Sequence, residues 1–157
     1  MTDSSGAGEM ITTTPPRSPD CRVQHSGAAA ATSRSTRVLL VEDEPLTAEV
    51  FARSLQRAGI QVDVARDGLQ ALRHLRDHTP SLLVLDMSLP ALSGASVVRE
   101  LRASGSPDLP VVVVSGSEQR ACSLGDDELY PGVWLKKPVK PRKLVDVVRS
   151  LLGDRQA

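Results

Sequence analysis

Apolar residues fall along this chain in short, dense runs separated by turn-forming and charged residues, and the pattern begins near residue 37. Arg37-Val38-Leu39-Leu40-Val41 and Leu82-Leu83-Val84-Leu85 are continuous aliphatic runs, and Val111 to Val114 is the most strand-like stretch of all. Runs this short, bounded by turn residues and rich in branched side chains, read as strands buried on both faces. Ile60-Gln61-Val62-Asp63-Val64 alternates instead and reads as an edge strand. Val133-Trp134-Leu135 makes a fifth.

Between the strands the period changes to that of a helix. Pro45 suits a first helical turn, and Leu46, Val50, Leu55 and Ala58 recur behind it with Phe51 beside them, up to Gly59 as a left-handed cap. Asp67-Gly68 opens a second helix whose Leu69, Leu72 and Leu75 face the sheet, and Thr79-Pro80 ends it. Pro90 and Gly94 shape a loop before a third helix through Val97, Val98 and Leu101, closed by Ser104-Gly105. From Ser117 to Gly132 the pattern is weakest and supports a short helix around Glu118 to Leu124. The last helix starts near Pro141 and carries Leu144, Val145, Val148, Leu151 and Leu152.

Strands alternating with helices specify a parallel sheet covered on both faces. Right-handed crossovers bring every strand's carboxyl end to one edge. That rim gathers Glu42, Asp43, Asp86, Ser115 and Lys137 from distant parts of the chain. Open α/β sheets carry their chemistry at this edge. An aspartate at such a place can equally begin a loop or cap a helix, and an acidic rim can be merely solvated. Three carboxylates that Lys137 neutralises in part also form the hard oxygen set that Mg²⁺ prefers. A carboxylate beside such an ion, an ammonium and a hydroxyl is equipped for phosphoryl transfer.

Composition narrows the class. The chain has 157 residues, with 19 Lys plus Arg against 19 Asp plus Glu, so no charge imbalance points to nucleic acid. One Trp, one Tyr and one Phe leave the core to aliphatics. Cys21 and Cys122 fit a reducing compartment better than a disulfide framework, and Cys122 reads as a small buried or half-buried residue rather than a redox sensor. No apolar stretch approaches the roughly 20 residues needed to span a bilayer, and no basic-then-apolar leader opens the chain. A cytoplasmic protein without membrane contact is expected. Residues 1–35 are rich in Ser, Thr, Ala, Gly and Pro without periodicity and read as a disordered tail, followed by a domain over 36–153 and a short tail at 154–157. His74 and His78 lie four apart on the second helix with no third ligand near in sequence, and read as surface residues.

From about Arg37 to Leu152 the chain resembles the receiver domains of two-component response regulators. The matching pieces are Val-Leu-Leu-Val-Glu-Asp-Glu-Pro (38–45), Ala-Arg-Asp-Gly-Leu-Gln-Ala-Leu (65–72) and Leu-Val-Leu-Asp-Met-Ser-Leu-Pro (83–90), with Gly94 after it. Val-Val-Val-Val-Ser-Gly (111–116) and Leu-Lys-Lys-Pro (135–138) complete the set. The resemblance implies a flavodoxin-like doubly wound (βα)5 fold with a parallel sheet in the order 2-1-3-4-5. It implies that Asp86 accepts phosphate from a sensor histidine kinase or histidine phosphotransfer protein. Glu42 and Asp43 match the pair that holds Mg²⁺, with Glu at a position where Asp is usual, and the backbone carbonyl of Ser88 matches a further ligand. Ser115 matches the switch hydroxyl, Lys137 the phosphate-binding lysine, Trp134 the switch aromatic and Pro138 a proline on a cis peptide.

The stretch Asp126-Asp127-Glu128-Leu129-Tyr130-Pro131-Gly132 departs from the family's regular fourth helix and suggests partner specificity, the alternative being a tolerated, frayed surface loop. No helix-turn-helix or catalytic domain fits after the last helix. A stand-alone switch is therefore expected, signalling through phosphorylation-dependent binding to an unidentified protein, with self-phosphorylation and self-dephosphorylation its only chemistry. The alternative is a pseudo-receiver that uses the fold as an interaction module without phosphorylation. A metal-dependent phosphatase would want a second aspartate where Ser88 stands, and no P-loop is present.

Overall fold

The computed structural model of the protein describes residues 36–118 and 123–153. The disorder expected of residues 1–35, the C-terminal tail, Cys21, His25 and Cys122 lie outside them. Five strands, β1 (Arg37–Val41), β2 (Gln61–Ala65), β3 (Leu82–Asp86), β4 (Val111–Ser115) and β5 (Gly132–Lys136), pair in parallel in the order β2-β1-β3-β4-β5. The helices are α1 (Pro45–Arg57), α2 (Gly68–Asp77), α3 (Gly94–Ala103), α4 (Asp126–Leu129) and α5 (Pro141–Gly153). This is the flavodoxin-like doubly wound topology.

Side chains alternate across each strand, so one short run feeds two cores. Val38 and Leu40 of β1, Leu82 and Val84 of β3, and Val112 and Val114 of β4 pack with Phe51 and Leu55 of α1 and Leu144 and Val148 of α5. Leu39, Val41, Leu83, Leu85, Val111 and Val113 face the other way, onto Ala71 of α2, Val97 and Leu101 of α3 and Leu129 of α4. Every residue of β3 and of β4 is buried, as their unbroken aliphatic character requires. β2 at the edge is only partly covered.

Three packing expectations need correction. α1 turns Ala48, Phe51, Ala52 and Leu55 inward, whereas Leu46 and Val50 are exposed. Two small alanines let the helix sit close to the sheet and rotate the larger residues to its flank. Leu69 is likewise exposed, Ala71 taking the buried place while Leu72 and Leu75 pack partly against the core. His74 is half-buried rather than on the surface: its Nε2 meets Asp63 Oδ2 at 3.0 Å, and its ring stacks on that of His78. The short helix expected around Glu118 to Leu124 falls mainly on residues 119–122, outside the described residues; α4 is a single turn over Asp126–Leu129.

Candidate functional site

The sheet order determines where a pocket can form. β1 pairs with β2 on one side and β3 on the other, and the crossover from β1 to β2 through α1 covers the opposite face from the one from β3 to β4 through α3, so the two part at the carboxyl ends of β1 and β3. Glu42 follows β1 directly and Asp86 is the last residue of β3.

Both carboxylates are buried, Glu42 at 2% and Asp86 at 4% exposure, although carboxylates are seldom buried unless paired. Lys137, just beyond β5, supplies the opposing charge. Its Nζ donates to Asp86 Oδ2 at 2.9 Å and lies 3.5 Å from Glu42 Oε2. The backbone N–H of Ser88 donates to Asp86 Oδ1 (2.9 Å), and that of Glu44 to Glu42 Oε1 (3.3 Å). Asp43 is exposed at the mouth, and carboxylate oxygens of Glu42, Asp43 and Asp86 all lie within 4.8 Å of one another.

The electrostatics follow from burial and like charge. Burial, followed by the neighbouring charge of Asp86, raises the Glu42 pKa above its usual value, with Lys137 and the Glu44 amide opposing. At Lys137 burial favours the neutral amine, yet the hydrogen bond and charge of Asp86, helped by Glu42, outweigh it and leave the pKa raised. Lys137 is therefore an ammonium throughout the neutral range.

Ser115 is buried at the end of β4; its Oγ accepts from the Ser117 N–H (3.1 Å) and its carbonyl from the Lys137 N–H (2.7 Å). The lysine's own backbone is thus tied to that of the serine. Trp134 is half-buried, packs on the α2–α3 side of the sheet beside α4, and has a buried Nε1 without a hydrogen-bond partner among the described residues. The Lys137-Pro138 peptide is cis, as is Tyr130-Pro131.

Two residues have roles that sequence reasoning did not assign. Glu44, third in the acidic run, turns away from the pocket and caps α1, accepting from the N–H groups of Leu46 and Thr47. Its position just before a proline at the first helical turn was the available signal. Gly94, read as a loop former, starts α3 so close to β3 that a Cβ there would sit 2.6 Å from the Asp86 carbonyl oxygen and 2.7 Å from Met87 Cα.

A parallel five-stranded switch-point sheet, with a lysine-countered acidic pocket at its carboxyl edge, defines a class with a known family model. The response regulator receiver domain model matches residues 38–149, and the chain belongs to that family. It is 34% identical over 118 residues to "Response regulator MprA" of Mycobacterium ulcerans, covering 75% of this chain and 50% of that protein. It is 35% identical over 135 residues to "Alkaline phosphatase synthesis transcriptional regulatory protein SphR" of Synechococcus elongatus, covering 80% and 52%. The chain thus spans about half the length of these curated relatives. Among solved structures, the receiver domain protein (CheY-like) from Methanospirillum hungatei superposes with a TM-score of 0.71 at 20% identity, over 77% of this chain and 96% of that one. The response regulator TrrA of Thermotoga maritima, solved in complex with Mg²⁺-BeF, does so with 0.66 at 26% identity, over 74% and 98%. No helix among the described residues is long and apolar enough to cross a membrane.

Proposed function

We propose that Asp86 accepts a phosphoryl group from the phosphohistidine of a sensor histidine kinase or histidine phosphotransfer protein, and that the phosphorylated domain signals by binding a protein target. The observation that carries this is the burial of Asp86 against Lys137 Nζ at 2.9 Å with Glu42 alongside. A purely structural ion pair gains little from a second buried carboxylate that repels the first. Glu42, Asp43 and Asp86 offer a set of hard oxygen donors suited to Mg²⁺, with the Ser88 carbonyl as a further ligand. When bound, the ion neutralises charge on the phosphoryl oxygens. A carboxylate oxygen of Asp86 attacks phosphorus as the bond to the donor imidazole breaks, and the imidazole leaves with the bonding pair and takes up a proton. Lys137 holds its ammonium against the phosphoryl group, and the Ser115 hydroxyl, released from the Ser117 amide, donates to a phosphoryl oxygen.

Incubation with acetyl phosphate and Mg²⁺ tests the reading. Wild type should add one phosphoryl mass that is lost in base, and Asp86→Asn should not; equal labelling of the two overturns it.

A further inference from the structure

α4 is a single turn, too short to hold its own shape in water. What secures it is α3. Arg102, half-buried, donates from Nε to the Glu128 carbonyl (3.0 Å) and from Nη2 to the Leu129 carbonyl (3.3 Å). Its Nη1 spans to the carbonyls of Leu109 (2.9 Å) and Ser106 (3.2 Å). One guanidinium therefore takes up two carbonyls from the end of α4, which have no helical partner there, and two from the loop before β4, of which that of Ser106 also accepts from the Leu109 N–H (3.4 Å). Arg99, one turn earlier, donates from Nε to Glu128 Oε1 (2.9 Å) and from Nη2 to the Ser123 carbonyl. Glu128 in turn accepts from the Gly125 N–H through Oε2 (2.9 Å).

The opposite end of α3 rests on the residues that carry the site. The Gly94 N–H donates to the Met87 carbonyl (3.2 Å), and there is no room at Gly94 for a side chain. Met87 lies between Asp86 and Ser88, whose amide is bonded to the Asp86 carboxylate. A ten-residue helix is a stiff body about 15 Å long. This one is joined by backbone contacts to the aspartate's strand at one end and by Arg102 to α4 at the other.

We propose that α3 carries the state of Asp86 to α4, with Arg102 as the positioning residue that makes the connection, a coupling that rests on the reading of Asp86 as phosphoacceptor. A phosphoryl group on Asp86 competes for the Ser88 amide and shifts the backbone on which Gly94 sits. α3 moves as a unit, and the carbonyls that Arg102 holds move with it. This route runs through the loop after β3 rather than through Ser115 and Trp134, the switch residues that the family resemblance implies.

The test is hydrogen exchange on the full chain, with and without beryllofluoride and Mg²⁺ as a phosphoryl stand-in, in wild type and Arg102→Ala. Without beryllofluoride, amides 126–130 of Arg102→Ala should exchange about tenfold faster or more, with β1, β3 and β4 unchanged. Unchanged exchange there overturns the role of Arg102. With beryllofluoride, wild type should respond at 86–88 and at 126–130, and Arg102→Ala at 86–88 alone. A response at 126–130 that survives in Arg102→Ala overturns the coupling, as does a wild type that responds at 86–88 but not at 126–130. A wild type silent at 86–88 counts against the phosphoacceptor reading and the coupling together, while the comparison without beryllofluoride still decides whether Arg102 holds α4. Arg102→Lys, which keeps the charge and the apolar stem but cannot span four carbonyls, should fall between the two and guards against a failure to fold.

Discussion

Lys137 Nζ leans towards Asp86 Oδ2, at 2.9 Å, and stands back from Glu42 Oε2, at 3.5 Å. One ammonium thus serves two buried carboxylates, and neither has another ion-pair partner among the described residues. Lys137 and a divalent ion are then rivals for the same oxygens. Lys137→Met should bind Mg²⁺ more tightly, on the order of tenfold, since a repelling unit charge a few ångströms from the ion is gone. Phosphorylation of the variant should nonetheless fall, because the ammonium is lost from the phosphoryl oxygens. Calorimetric Mg²⁺ titration beside acetyl phosphate labelling checks both halves; weaker Mg²⁺ binding in the variant would contradict the rivalry.

Glu42 makes stability depend on pH in metal-free solution. Burial and the charge of Asp86 raise its folded pKa above the ordinary 4.5, so the folded state holds its proton where the unfolded chain has lost it. Between those two values the folded state binds more protons, and unfolding free energy falls as pH rises through the window that starts at 4.5. Lys137 acts elsewhere: its raised pKa makes its contribution complete below 10.5 and lost only in stronger alkali. Glu42→Gln should therefore be more stable than wild type at neutral pH, by about 1 kcal/mol or a few degrees in Tm, and its stability should vary less with pH across the mildly acidic range above 4.5. Urea melts at several pH values with chelator present measure this, and parallel pH profiles for the two proteins would contradict it.

The strands and the rim were legible in the sequence because they depend on dense local signals. The apolar–polar alternation of a half-covered strand is absent from β3 and β4: the runs ending at Asp86 and Ser115 are apolar throughout, and that alone marks a parallel sheet buried on both sides. From there, crossover handedness converges Glu42, Asp86 and Lys137 without any measured distance. Which face α1 buries was not legible, because Leu46 and Val50 outweigh Ala48 and Ala52 in any hydrophobic tally. The fit of small side chains against the sheet decides the matter instead. Arg102 was beyond reach for another reason. Its acceptors on α4 are backbone carbonyls 26 and 27 residues away, and every residue in the chain has a carbonyl.

Gly94 should tolerate no side chain. A Cβ would meet the Asp86 carbonyl oxygen and Met87 Cα, backbone atoms at and just past the end of β3 that cannot yield as a flexible side chain would. Gly94→Ala should cost about 1–3 kcal/mol and pull the β3–α3 loop from its place, lowering phosphorylation in the surviving folded protein. Gly59→Ala is the control. Nothing lies within 4 Å of its added Cβ, and the cost comes from a φ of +82° alone, about 1 kcal/mol, far from the rim and without effect on labelling. Equal midpoints for wild type and Gly94→Ala in urea would contradict the close approach.

The orientation of α1 yields the sharpest contrast between neighbouring apolar residues. Leu46 is 70% exposed and Leu55 fully buried, although both belong to one helix and one apolar stripe in the sequence. Removing the Leu55 side chain to Ala leaves a cavity among Val38, Leu40 and Val148 and should cost about 2–5 kcal/mol. Leu46→Lys exchanges one helix-compatible side chain for another in solvent and should stay within about 0.5 kcal/mol of wild type. Val50→Lys should behave in the same way, and removing a branched residue from mid-helix offsets part of any loss. Urea midpoints of the three variants decide whether the helix is turned as described. A large loss at Leu46 with little at Leu55 would mean that α1 presents its other side to the sheet, and Phe51 and Ala52 would then have to leave the core.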